Sequence, residues 1–231
     1  AGLNGMGLKY GPWVRRPGTL HINETLGTTG DGKRVELVPF RFNDEQNYIL
    51  EFSSSLSSKM RVYRDRGIVL NTSTSSPDVN QGITGIAELT AFGIIAISVD
   101  GTETDYTVGK DVVLTGLTEA LELEGRISTV TDTSTPGIVE ISSDAIGSYT
   151  EETSSTGTLS EIYELAIPYS DTDMFASDGT FLLDIVQIND VMYIVHPDFH
   201  PRTLTRTAHD VWTVAKMDLK SGPYDEPNDN N

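Results

Sequence analysis

At 231 residues the chain can hold one large domain or two small ones with real cores. Its 16 basic and 34 acidic residues give a formal net charge of -18, which excludes a surface built to grip nucleic acid, since phosphate would be repelled. The small basic groups, Arg15 and Arg16, then Lys59, Arg61, Arg64 and Arg66, do not outweigh that background. There is no cysteine, so disulfides, thiolate catalysis and zinc–sulfur sites are excluded. No membrane insertion is expected: the longest apolar run, Gly93 to Val99, falls far short of the roughly 20 residues a membrane helix needs.

In chain order, the Gly-rich start (Gly2, Gly5, Gly7, Gly11) carries no fold signal of its own. Then come short alternating runs separated by turn residues: Arg34 to Phe42, Asn47 to Phe52, Lys59 to Arg64 and Ile68 to Leu70. This is the pattern of an all-β meander, and Pro39 marks its first run as an edge or a bulge. Ser/Thr-rich flanks at 71–77 and 150–157 read as linkers. Between them, runs at Ile83–Leu89, Gly93–Val99, Asp111–Leu114, Gly125–Val130 and Gly137–Ile141 predict a small barrel of about five strands. Inserting such a module into a surface loop costs little. The last third predicts a second meander: Phe181 to Gln187, whose start could be a helical turn, a turn at Asn189-Asp190, and Val191 to Val195 buried on both faces. A loop between Pro197 and Pro201, a run at Arg202–Thr207 and a closing run at Val211–Met217 follow. Four antiparallel strands joined by short loops form a unit like one propeller blade.

Particular residues then carry a resemblance. Val14-Arg-Arg-Pro-Gly-Thr19, Val38-Pro-Phe-Arg-Phe42, Tyr48-Ile-Leu-Glu-Phe52 and Met60-Arg-Val-Tyr63 occur in that order. Ile167-Pro-Tyr169, Asp173, Phe175, Gln187, Asp190-Val-Met-Tyr-Ile-Val-His-Pro197, Pro201-Arg202 and Trp212 follow. The series resembles the nozzle, or tail tubular B-like, proteins of short-tailed bacteriophages, with Arg15, Arg16, Pro17, Gly18, Asp190, Tyr193, His196, Pro197 and Trp212 as its structural motif residues. The resemblance implies a propeller-like subunit of which about six copies form a ring below the portal and adaptor. That ring would continue the DNA channel and carry tail fibres. Family members extend further on both sides of the matched region, so the chain reads as a fragment of a longer protein. In the middle third, Thr115 to Arg126 followed by Ser142 to Tyr149 is similar to a small β-barrel module inserted in phage tail proteins, related in shape to a half-domain of ubiquitin-activating enzymes.

Candidate chemistry is sparse. His196, Asp198 and His200, with His209 nearby, have a spacing that could bind a metal such as zinc, although a polar loop between strands is the ordinary reading. Asp171, Asp173 and Asp178-Gly179 faintly resemble a calcium loop without the EF-hand spacing; capping of a short helix by Ser170 or Asp171 explains them better. Glu119, Glu122 and Glu124 are glycosidase candidates by abundance alone. Trp13, Trp212, Tyr163 and Tyr169 could stack on sugars, but such residues more often fill a core. No nucleophile elbow, P-loop or complete dinucleotide motif occurs, and no cofactor is expected.

The expectation is therefore an all-β chain with a propeller-like outer domain, residues 1–70 plus 159–231, and an inserted small β-barrel at 82–157. Its function would be structural and not enzymatic, in a virion tail made in the host bacterial cytoplasm. Its partners would be further copies of itself, adaptor and fibre proteins, and genomic DNA passing without sequence-specific contact. An acidic channel wall would let that DNA slide; plain solubility explains the charge equally. Two other readings are a binding module for host glycan or another tail protein, and a virion-associated glycosidase.

Overall fold

Alternation of apolar and polar residues sets most of the backbone, and the chain is all-β. The computed structural model describes residues 34–54, 58–71, 79–88, 93–118, 120–142 and 156–219, with the backbone of two short strands before them. Those two, β1 (Gly5–Gly7) and β2 (Trp13–Arg15), pair antiparallel, so the Gly-rich start that was expected to carry no fold of its own holds a strand. Arg16, Pro17, Gly18, Glu119 and most of both Ser/Thr-rich linkers lie outside the described residues.

The first meander is β3 (Val35–Arg41), β4 (Asn47–Ser53), β5 (Lys59–Arg64) and β6 (Gly67–Ile68), each paired with the next. Pro39 lies in β3, the edge strand, where a missing N–H breaks no ladder. The β5–β6 turn places Asp65 and Arg66 at φ 50° and 69°, the left-handed pair that a two-residue hairpin needs to match strand twist.

Next come β7 (Asn80–Glu88), β8 (Ile94–Val99), β9 (Asp111–Thr115), β10 (Ile127–Asp132), β11 (Ile138–Ser142) and β12 (Thr158–Glu161). They close into a barrel in the order β10-β11-β8-β7-β12-β9. The barrel has six strands where composition indicated about five. The sixth, β12, joins β7 to β9 and extends past residue 157. Its Leu159, fully buried inside, is what draws it in.

The chain then returns to the first sheet. β13 (Glu164–Ala166) pairs with β5, completing the order β13-β5-β4-β3. A single turn of helix, α1 (Asp171–Met174), follows. β14 (Asp184–Ile188), β15 (Val191–His196), β16 (Phe199–Ala208) and β17 (Val211–Lys216) form a four-stranded meander.

Three further expectations, all in the second meander, are corrected. β15 is not buried on both faces: Met192 and Ile194 point inward, whereas Val195 is 42% exposed. The loop expected between Pro197 and Pro201 is a tight turn, so His200 and Pro201 stand in β16. The run from Phe181 pairs as a strand only from Asp184, while Phe181 makes an isolated bridge to Phe175.

Two separate cores result. One, containing Phe40, Leu50, Phe52, Met192, Leu204 and Trp212, draws on both open sheets. The other fills the barrel with Ile83, Ile97, Val112, Leu114 and Ile141 among others. No residue belongs to both.

Candidate functional site

On β5, Met60 and Val62 enter the core of the open sheets, so Lys59, Arg61 and Tyr63 are turned to the opposite face. The register places Arg61 opposite Glu51 on β4 and opposite Glu164 on β13. A row of alternating charge, Glu51–Arg61–Glu164, therefore crosses three strands, a favourable cross-strand arrangement. Although it lies on the non-core face, the row is covered: Arg61 and Glu51 are 0% exposed.

Arg61 donates from Nε and Nη2 to Glu164 Oε1 at 3.2 and 3.0 Å. Lys59 Nζ donates to Glu164 Oε2 at 2.7 Å. Arg61 Nη2 also pairs with Asp111, the first residue of β9 in the barrel. The other Asp111 oxygen accepts from the Thr129 hydroxyl at 2.6 Å. Tyr63 donates to Glu51 Oε2 at 2.5 Å. Arg61 Nη1 and Glu51 Oε1 are buried without a partner among the described residues.

Burial pushes the Glu51 carboxyl above its usual range, against the pull of the Tyr63 hydrogen bond and the Arg61 charge. Burial also raises Asp111, partly offset by Thr129 and Arg61, while the nearby Glu164 carboxylate adds to the rise. Glu164 is desolvated too, but its bonds and charge pairing with Lys59 and Arg61 outweigh that and hold it low. Burial and the Glu51 charge keep the Tyr63 hydroxyl protonated well above the ordinary phenol range. Two carboxyls displaced in opposite directions resemble an acid/base pair. Here both are sealed from solvent, which suits a joint between sheet and barrel rather than a place where a substrate is met.

The sequence read Lys59, Arg61, Arg64 and Arg66 as one small basic cluster; the fold divides it. Arg64 lies at the far end of β5 beside His209, which also meets the Tyr48 hydroxyl at 2.6 Å. Burial and the Arg64 and Arg206 charges hold His209 below the usual imidazole range. Glu51, Tyr63, Asp111 and Glu164 were not singled out from sequence. The available signal was the period of β5, which places Arg61 off the core face; the partner elements are distant in sequence.

The other candidates are placed as follows. His196 is buried, its Nδ1 accepts from the Asp198 N–H at 3.1 Å, and its ring packs on Tyr169 and Phe199. His200 is exposed and turned to the Pro201 carbonyl. Among the described residues no group of three or more His, Asp or Glu side chains is gathered to hold a metal. Asp173 closes a capping box on Ser170, accepting from its N–H at 2.8 Å and its hydroxyl at 2.7 Å. Asp178 holds the turn at Thr180. Glu124 accepts from the Gly116 and Leu117 N–H groups, both at 2.9 Å, and so pins a barrel turn. Trp212 and Tyr169 are buried in the core of the open sheets, and the Tyr163 hydroxyl accepts from the Trp212 N–H. Asp190 is in the β14–β15 turn, followed by half-buried Tyr193 on β15. The Gln187 amide bonds both the N–H and the carbonyl of Arg41, fastening the edge of β3 to the second meander.

Fold and site together define an all-β protein of two packed antiparallel sheets and a closed barrel. In comparison with known proteins, no family model and no curated protein matches the chain.

Proposed function

We propose that the chain is a structural subunit of a bacteriophage tail: part of a nozzle ring that continues the DNA channel below portal and adaptor and carries fibres. In this reading the two antiparallel meanders are propeller-like blades and the barrel is a module inserted between them. One observation carries it. The meanders pack face to face through Phe40, Tyr48, Tyr169 and Trp212, while the outward face of the second keeps exposed Val186, Ile188, Val195 and Val211. Apolar side chains on both faces of a sheet are what stacked blades need. The quoted motif residues His196 and Trp212 are packing residues, as a structural role requires. The partners would be about six copies of itself in a ring, adaptor and fibre proteins, and DNA held only by the channel. No catalytic role, cofactor or metal is assigned, and the destination is the virion.

Immunogold electron microscopy of purified particles, with antibody against this chain, tests the reading. Label at the capsid base and upper tail is expected; no label on any particle removes it. A second reading, a binding module, draws on the barrel, where Leu121 and Val108 are 62% and 55% exposed. Label confined to distal fibres, with signal on a glycan array, would favour it instead.

A further inference from the structure

The barrel hangs on the open sheets by a narrow neck. The chain leaves at Val69–Asn71 and returns at Glu161–Tyr163. Across this gap Asn71 N–H donates to Glu161 O, Tyr163 N–H to Val69 O, and Leu70 bridges Ile162. No described barrel strand pairs with a strand of either open sheet, and the two hydrophobic cores share no residue. Beyond the neck, then, no strand ladder joins the two parts among the described residues, and their hydrophobic cores are separate. Apolar contact is in any case non-directional, whereas a guanidinium shared between two carboxylates has a defined geometry.

We propose that Arg61 is a positioning latch: the neck sets where the barrel is attached, and the Arg61 bridge from Glu164 to Asp111 sets its orientation on the sheet. Glu164, itself held by Lys59 at 2.7 Å, fixes the guanidinium from the sheet side through bonds of 3.0 and 3.2 Å. Thr129 fixes Asp111 from the barrel side, and the Asp111 carbonyl accepts the Ile162 N–H at 2.8 Å, so the latch residue also touches the neck. Glu51 and Tyr63 line the same layer and are joined by their own hydrogen bond. Buried ion networks cost desolvation and often add little net stability; here the charge specifies one orientation among those that the neck allows.

The chain has no cysteine, so Glu45→Cys on the sheet side and Val108→Cys on the barrel carry the only spin labels, and pulsed electron–electron resonance reads their distance distribution. With Arg61 present, one narrow distribution is expected. In the neutralised triple variant Arg61→Met, Asp111→Asn, Glu164→Gln, the distribution is expected to be at least about twofold broader, a release of alternative orientations, while amide exchange in both cores stays protected. Asp111→Asn alone, isosteric and gentler on folding, gives an intermediate width. An unchanged width in folded Asp111→Asn or in the triple variant overturns the proposal. So does loss of both cores in one cooperative transition, because a latch must release the barrel with each core intact.

Discussion

The two cores are built from different side chains. Between the open sheets lie Phe40, Tyr48, Phe52, Tyr169, Phe175 and Trp212, with Met60, Met174 and Met192 filling around them. Inside the barrel the packing is Ile, Val and Leu with Ala120, and Tyr106 is the one aromatic of that cluster. Geometry explains the contrast. Two sheets packed face to face lie about 10 Å apart, a gap that large rings fill. A small closed barrel has room for branched aliphatic chains from every strand, and little else. Even its lone tyrosine is tied down: the Tyr106 hydroxyl donates to the Leu159 carbonyl at 2.7 Å. The contrast teaches that the chain holds two packing solutions joined by a polar layer, rather than one continuous core.

That comparison can be broken by mutation. The largest effect is expected for Trp212→Ala, which removes a buried ring stacked edge-on against Phe40 and Tyr48 at 4.9 and 5.3 Å. A loss of about 3–5 kcal/mol is expected in urea unfolding, and amide exchange should show it in the open sheets while the barrel keeps its protection. Simultaneous loss of protection in both regions would merge the two cores into one unit. Leu114→Ala in the barrel should cost about 2–5 kcal/mol with the opposite map, barrel amides exchanging first.

Tyr63→Phe probes the layer between the cores and should cost about 1–3 kcal/mol by leaving Glu51 without its donor. The effect should depend on pH. The Tyr63 bond pulls the Glu51 carboxyl down against burial, so removing it raises the folded-state pKa of Glu51 further. Its penalty is then fully present well above that raised value and shrinks as pH falls and Glu51 is protonated in both proteins. Denaturation of the two proteins across pH measures this, and a penalty constant with pH would contradict it. The smallest effect is expected for Ser170→Ala, which removes the hydroxyl from the capping box of α1 and should cost about 0.5–2 kcal/mol, confined to amides near that turn.

Much of the fold was legible. The alternation in Asn47–Phe52 and Lys59–Arg64 marked β4 and β5, Pro39 marked an edge, and the turns at Asp65 and Asn189 were readable from their residue types. The helix cap lay at Ser170, one of the two residues, Ser170 and Asp171, that were expected to supply it. The metal and calcium candidates were less legible, because spacing alone does not say that His196 packs inward while His200 is exposed one turn later on the next strand. β15 misled for a related reason: its unbroken apolar run looks buried on both faces, yet alternate residues sit on an exposed face.

By itself, then, the sequence determined the strand class, the turn positions and the side of β5 on which Arg61 stands, because these depend on local steric preference and on the two-residue period. Tertiary structure alone decided that β12 closes the barrel between β7 and β9, and that Asp111 and Glu164, 50 and 103 residues from Arg61, meet it in a buried layer. Those pairings pair strands far apart in sequence, and nothing in the local pattern of an alternating strand specifies which distant strand, or which distant charge, will cover its second face.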